Sequence, residues 1–497
     1  MNDMATTASP LAGAPDRLML IDGELCASSS QGWLTAIDPA NEEVLGRVPE
    51  ATAEDVERAV LAAERAAPGW AATPALQRAG LVRELARRAL ERADELLELE
   101  VRDTGNTRRR MVRDVTMATD MLDYFAGLAL EIKGETIPAS PTGLHFSVRE
   151  PYGVVGRILA FNHPFYFAAS RLAAPLVAGN TVVLKPSEEA PLSTTVLAEL
   201  CAEIFPPGVV NIVTGTGTVA GAALVGDPRV KRLTFIGSVP TGRAIQRQAA
   251  ESAVKHVTLE LGGKNPMIVF GDADPEKVAT AAVAGMNFGH QGQSCGSTSR
   301  LLLHEDLYDD VLERVVQKVS ALRLGDPTLD ETDMGPLNSA RHLKNVLGHI
   351  AAAEEDGARL MTGGRRPEGA QFERGFWLQP TVFADVTPEM RLFRNEVFGP
   401  VLAVCRWGAD DDLLAVANGV DFGLTASIWT NDLNRGLVAA RSVQAGYVWI
   451  NGNSTHFPGT SFGGRKQSGI GSEEGLEELL SFTEVKTINV VLPAELP

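Results

Sequence analysis

The sequence predicts a doubly wound α/β fold with a small separate β element, and three observations predict it. Short, nearly continuous apolar runs occur at 154–161, 181–184, 209–213, 233–236 and 267–270; helical stretches of ordinary crossover length separate them; and two β-rich segments, 132–149 and 482–492, fit neither layer. Apolar strands without alternation need cover on both faces. Helices on either side of a parallel sheet supply it.

Taken in order, residues 1–16 are small and polar, with neither a basic start nor an apolar block, and read as a loose tail rather than a secretory signal. Thr52 and Asp55 have the spacing of a capping box, and Val56, Ala59, Val60 and Ala63 then recur at helical intervals. A second helical pattern covers 81–99. Both read as packing elements. The parallel-sheet runs follow, and a further α/β stretch extends over about 274–451. The C-terminal Val-Lys-Thr-Ile-Asn-Val-Val-Leu run is β-branched and alternating, and an exposed strand at a chain end is a liability unless paired. Pairing with a partner subunit is the expectation. An internal edge strand is the alternative.

The chain has 497 residues, enough for two or three separate cores. It is 44% hydrophobic and 22% charged, and no stretch approaches the roughly 18 apolar residues of a membrane helix. A net charge of −18 disfavours nucleic acid and anionic membrane as partners. The 4 cysteines, Cys26, Cys201, Cys295 and Cys405, lack Cys-x-x-Cys spacing, which favours a reducing, cytoplasmic compartment. The 8 histidines form no His-Glu-x-x-His pattern or Cys/His cluster, so no metal site is expected.

Gly215-Thr216-Gly217-Thr218-Val219-Ala220 satisfies a dinucleotide fingerprint literally, but the next strand ends in Gly237-Ser238 where that fingerprint asks for an acid. The turn from Gly237 to Gly242 is the better pyrophosphate candidate. It lies between a strand and a helix start, where free N–H groups and the helix dipole favour phosphate. Lys185-Pro186-Ser187-Glu188 also ends a strand, at the edge where open α/β sheets bind ligands. A carboxylate there accepts both ribose hydroxyls and repels a 2′-phosphate.

The most specific words are Val257-Thr258-Leu259-Glu260-Leu261-Gly262-Gly263-Lys264-Asn265-Pro266 and Phe288-Gly289-His290-Gln291-Gly292-Gln293-Ser294-Cys295. With Phe161-Asn162-His163-Pro164, Glu396-Val397-Phe398-Gly399-Pro400 and Phe462-Gly463-Gly464-Arg465-Lys466-Gln467-Ser468-Gly469, they resemble the aldehyde dehydrogenase superfamily in order and spacing over nearly the whole chain.

The resemblance implies a Rossmann-like dinucleotide-binding domain over 1–128 and 150–259, an α/β catalytic domain over 260–465, and an oligomerisation arm from 129–149 and 478–497. A homodimer or homotetramer is implied with it. Cys295 would be the nucleophile on the aldehyde carbon, its thiol acidified by a positive or dipolar setting. Asn162 would donate to the oxyanion with the Cys295 N–H, and Glu260 would activate the hydrolytic water from an apolar pocket that raises its pKa. NAD is the implied cofactor, with NADP used by similar members that carry the same Lys-Pro-Ser-Glu sequence. Lys185 and Glu188 would hold the adenine ribose, Gly237 and Ser238 the pyrophosphate, and Glu396 and Phe398 the nicotinamide ribose and ring. Lys264 reads as structural.

Two departures bear on substrate. The family more often has tryptophan before the Asn and an aromatic after it, so His163 is expected to face substrate. His456 and Phe457 come to the pocket mouth, with Phe167, Ser170, Ser294, Gly296 and Phe462 as lining; the small neighbours of Cys295 leave room for a bulky or aromatic aldehyde. A CoA-acylating enzyme of the same superfamily is one alternative, and Glu260 argues against it. A nicotinamide-independent hydrolase using Cys295, Glu260 and Lys264 is another.

Overall fold

The computed structural model describes residues 15–492. The tail expected over 1–16 lies outside them, apart from its end, where Asp16 pairs with Arg47 at 2.8 Å. The Thr52 capping box forms: the Asp55 N–H donates to Thr52 Oγ1 at 3.2 Å, and the Thr52 N–H to the Asp55 carboxylate at 3.0 Å. Helix Ala53–Ala72 follows. The second helical pattern is two helices, Ala75–Glu91 and Ala93–Thr104. The break falls at Arg92, whose guanidinium reaches Glu199 at 2.6 Å, while the apolar spacing continues on both sides and conceals the break.

The first sheet holds five parallel strands in spatial order Val210–Ile212, Thr181–Lys185, Val154–Ile158, Val230–Gly237 and His256–Leu261. Met19–Ile21 and Glu24–Cys26 add antiparallel at one edge. Every residue of Val154–Ile158 and Thr181–Lys185 is buried, as unbroken apolar runs between two helical layers require.

The run at 267–270 belongs elsewhere. Its strand, Pro266–Val269, lies inside a second, mostly parallel sheet between Arg300–His304 and Thr425–Trp429. The chain therefore crosses from one sheet to the other at residues 262–265, immediately after Glu260. Its last third returns to the same place, because Gly469–Ile470 pairs antiparallel with Leu259 and Glu260.

The segments that fit neither layer form a third sheet. Thr483–Val491 pairs antiparallel along its whole length with Gly143–Pro151, and Thr136–Ile137 pairs on the far side. One edge of the terminal strand is thus internally paired, and its other edge carries no strand among the described residues. Val485 and Val491 there are 59% and 83% exposed. No helix among the described residues is long and apolar enough to cross a membrane.

Candidate active site

Cys295 sits on a loop between the turn Phe288–His290 and strand Arg300–His304. The loop coils tightly, with Asn287, Gln291 and Gly292 in the left-handed region at φ 56°, 53° and 68°. Gly292 has no alternative there, since a Cβ would lie 2.2 Å from the Gly399 carbonyl oxygen. Asn265, from the crossing between sheets, clamps the loop: its amide donates to the carbonyls of Cys295 and Ser297 at 2.7 and 2.9 Å.

Glu260 ends strand His256–Leu261 and is 5% exposed, and neither of its carboxylate oxygens has a hydrogen-bond partner. Burial, then the Glu473 carboxylate, push it well above the usual carboxylate range against the pull of Arg171. The expected acidification of Cys295 is not what its surroundings produce. Burial, followed by the charges of Glu260, Glu396 and Glu474, pushes the thiol up to about 12, opposed only by the Gly296 N–H. A like charge nearby disfavours the thiolate, so the resting group is a thiol.

A cavity of about 120 Å³ joins Cys295 and Glu260 to His163, Phe167, Ser294, Gly296, His456 and Phe462. Asn162 is buried but is not among the lining residues; its carbonyl accepts from the Asn106 amide at 3.0 Å. Ser170 is a correction. It is fully buried on helix Pro164–Ala178, and its hydroxyl donates to the Tyr166 carbonyl one turn back at 2.5 Å, away from the cavity. Phe457 is likewise outside the lining, half-exposed at the surface.

Sequence reasoning missed much of the wall: Arg110, Arg113, Asp114, Tyr166, His290 and Glu474. One signal was legible. Arg108, Arg109, Arg110 and Arg113 crowd the start of helix Arg108–Gly127, the end where the dipole disfavours cations. The remaining partners meet only in space. His456 donates to Glu474 at 2.9 Å, as does the Tyr166 hydroxyl at 3.0 Å. Burial opposes ionisation of Glu474, yet His456 and Arg171 hold it down to about 2. Arg171 ties Glu473 to helix Pro164–Ala178 at 2.8 Å, and Arg157 ties Glu478 to the first-sheet strand Val154–Ile158 at 3.0 Å.

Asp114, His163 and His290 bring one carboxylate oxygen and two ring nitrogens within 4.8 Å of one another. This three-donor set was invisible in the sequence because its members lie on three separate segments. Asp114 already accepts from His163 at 2.5 Å, and Arg110 and Arg113 line the same cavity, where two guanidiniums oppose a cation.

Of the residues expected to hold a dinucleotide, Lys185, Glu188, Gly237 and Ser238 lie at or just past the ends of first-sheet strands, and Glu396 and Phe398 precede strand Val401–Trp407 of the second sheet. Lys185, fully buried, donates to Glu188 at 3.0 Å, and the Gly217 N–H reaches the other Glu188 oxygen at 3.2 Å. The fingerprint decoy thus serves Glu188. Burial raises the Glu188 pKa, but the Lys185 charge together with the hydrogen bonds from Gly217 and Lys185 outweighs it and holds the carboxylate below its usual range. Ser238 precedes helix Val239–Ser252 without capping it, sharing its hydroxyl with Thr241 at 3.0 Å, so the first N–H groups stay available to an anion. Gly242 lets this helix lie against the sheet, since a Cβ would meet Leu261 at 2.8 Å.

Glu396 accepts the Gly263 N–H at 2.8 Å, and burial lifts its pKa to about 7. A Cβ on Gly262 would lie 1.8 Å from its carboxylate, so only glycine admits it. Phe398, at φ 54°, stands 5.9 Å from the Phe161 ring and receives a hydrogen bond from His342 at 2.6 Å. Phe161 and His342 open onto a wider cleft of about 750 Å³ that also touches Glu189 and Asn395. That cleft therefore adjoins two of the stretches that the sequence assigned to cofactor, 185–188 and 396–398. Lys264 is 1% exposed, its amine has no partner, and it does not line the reaction cavity, which removes it from a Cys-Glu-Lys hydrolase.

Residues 26–488 match the model of the aldehyde dehydrogenase family. An aldehyde dehydrogenase of Talaromyces stipitatus named tropH is 44% identical over 95% of this chain and 93% of its own. Among solved structures, an NAD+ complex of an aldehyde dehydrogenase from Bacillus cereus is 38% identical, with a TM-score of 0.93 over 96% of this chain and 97% of that one. A betaine aldehyde dehydrogenase from Staphylococcus aureus in complex with NAD+ is 35% identical, with a TM-score of 0.94 over 97% and 96%.

Proposed function

The chain belongs to the aldehyde dehydrogenase family, and from that premise we propose how it oxidises an aldehyde to a carboxylic acid. The Cys295 sulfur attacks the aldehyde carbon, forming a C–S bond as its proton departs to a base. The oxygen becomes an oxyanion held by the Asn162 amide and the Cys295 N–H. A bound NAD would supply the acceptor for the hydride that must leave the adduct carbon if the adduct is to become a thioester. Glu260 then takes a proton from water as the water oxygen attacks that thioester, releasing the acid and restoring the thiol.

One observation carries this reading: Cys295 and a buried, unpartnered Glu260 line the same small cavity. An unpaired buried carboxylate is costly unless it has a task, and a raised pKa suits it to accept a proton near neutrality. It also supports release by water rather than by CoA. The NAD-bound relatives support NAD as the cofactor, and the fit here is specific. An ionised Glu188 suits ribose hydroxyls and opposes a 2′-phosphate, Ser238 leaves helix N–H groups open to a pyrophosphate, and Glu396 with Phe398 flanks the cleft beside the reaction cavity.

The volume near 120 Å³ is comparable to the ~150 Å³ engineered cavity that binds benzene, which supports an aldehyde with a single ring. The open edge of Thr483–Val491 supports pairing with a second copy, and the free cysteines suit the reducing cytoplasm. Cys295→Ala, assayed by NADH absorbance with NAD and NADP, tests the route. Turnover should vanish while cofactor binding persists; retained turnover rejects the mechanism.

A further inference from the structure

Among the described residues, three of the basic side chains on the wall of the reaction cavity have an acidic partner. Arg171 is paired with Glu473, His163 with Asp114 and His456 with Glu474. Arg110 and Arg113 line the same cavity, and neither guanidinium makes an ion pair or side-chain hydrogen bond among the described residues. Beside them is a second unsatisfied group, since His290 is buried and its Nδ1 has no partner.

Arg110 is held in place rather than left to solvent. It lies along the turn that leads to Cys295, so closely that a Cβ on Gly289 would meet its Cγ at 2.8 Å and its Nε at 3.0 Å. Burial lowers its pKa first, and the charge of Arg113 next. Arg113 is exposed to water, and the carboxylate whose charge reaches Arg110, that of Asp114, is already bonded to His163. Two like charges kept together are unfavourable on their own. They become favourable when a ligand brings the anion, and guanidinium forks match a carboxylate in two hydrogen bonds.

We propose that the substrate is an aldehyde carrying a carboxylate at the end away from its carbonyl, and that Arg110 and Arg113, with His290, bind that anion. The proposal rests on Cys295 and Glu260 as the reacting groups and names what lies at the other end of the molecule they act on. Charge is divided accordingly within one cavity. Glu260 faces the reacting carbon, and the uncommitted cations stand on helix Arg108–Gly127. The same pair opposes a cationic aldehyde and the metal ion that Asp114, His163 and His290 would otherwise suit.

The test compares kcat/KM for matched aldehydes, 4-formylbenzoate against 4-methylbenzaldehyde and 5-oxopentanoate against pentanal. In at least one pair the wild type should favour the carboxylate at least tenfold. That ratio should fall at least tenfold in Arg110→Met/Arg113→Met and only partly in Arg110→Lys/Arg113→Lys. A wild-type ratio near or below one in both pairs, or one unchanged in the methionine variant, overturns the proposal. Calorimetry with terephthalate and p-toluate on the wild type reads the anion site without turnover. Tenfold tighter binding of the dianion upholds it, and equal binding overturns it. Absence of any aldehyde oxidation would strike the Cys295–Glu260 reading instead, leaving the calorimetric result to judge the arginines.

Discussion

The Asn265 side-chain amide donates to the backbone carbonyl of Cys295 at 2.7 Å, joining the chain's crossing between sheets to the loop that bears the thiol. The same side chain holds Ser297 and accepts the Thr425 N–H at 3.0 Å. Asn265→Ala strands two backbone groups, the Cys295 carbonyl and the Thr425 N–H, each costing about 1–3 kcal/mol, while the Ser297 carbonyl keeps the Ser299 N–H at 2.9 Å. Steady-state kinetics should show kcat/KM reduced roughly 10- to 100-fold, as expected when a reacting group is misplaced, together with a lower melting temperature. A lower melting temperature with unchanged kcat/KM would reduce Asn265 to a structural role.

Glu260→Gln keeps the shape of the buried side chain but cannot accept a proton. Loss of a general base costs about 10²–10⁴ in rate. Stopped-flow absorbance should show a rapid burst of about one NADH per site followed by almost no turnover, because the acyl group stays on Cys295. Disappearance of the burst itself would mean that Glu260 is needed before the thioester forms.

With the Cys295 thiol pushed up to about 12 by burial and neighbouring carboxylates, the thiolate fraction of the free enzyme at pH 8 is on the order of 10⁻⁴. The thiolate is the reacting form, and its fraction rises about tenfold per pH unit below the pKa. Inactivation by iodoacetamide should therefore accelerate steadily from pH 7 to 9. A plateau below pH 8 would contradict burial and the neighbouring carboxylates as the control on the thiol.

Lys264 is buried without a partner, and burial, then Arg300, lower its pKa to about 7. Between that value and the free-lysine range the unfolded chain binds one more proton than the folded one, so stability rises with pH across this window. The slope is about 1.4 kcal/mol per pH unit from this one group. Chemical denaturation of the wild type and Lys264→Met from pH 7 to 10 should show the extra slope only in the wild type, with the variant gaining most at pH 7. Parallel curves would remove the effect.

Deleting the chain from Thr483 onward removes the outer strand of the third sheet. If its open edge pairs with a second copy, light scattering should show a smaller assembly than the full chain forms. An unchanged molar mass would return Thr483–Val491 to the role of an internal edge strand. The deletion also exposes the edge of Gly143–Pro151, so a fall in solubility is expected alongside.

Much was legible in the sequence because it is written locally. The capping box at Thr52 and Asp55 needs only three residues' separation, and a fully buried parallel strand such as Thr181–Lys185 shows itself as an unbroken apolar run. The words around Glu260 and Cys295 likewise pointed to the family before any coordinates. What the sequence could not decide was which sheet an apolar run joins. Pro266–Val269 reads like its predecessors, and only the Gly262–Gly263 crossing and its pairing partners put it in the second layer.

Charge was equally undecided until the chain closed up. A residue's pKa depends on burial and on groups from distant segments, so burial first, and then the carboxylates from 260, 396 and 474, reversed the expected acidification of Cys295. Ser170 turned into its own helix for a similarly spatial reason, the reach of a hydroxyl to the carbonyl one turn back. The sequence by itself determined the family and the layered architecture and proposed Cys295 and Glu260 as the reacting pair, since these rest on short-range pattern. The tertiary structure alone decided which charges find partners, because pairing is set by distances through space, and it left Arg110 and Arg113 without an ion pair among the described residues.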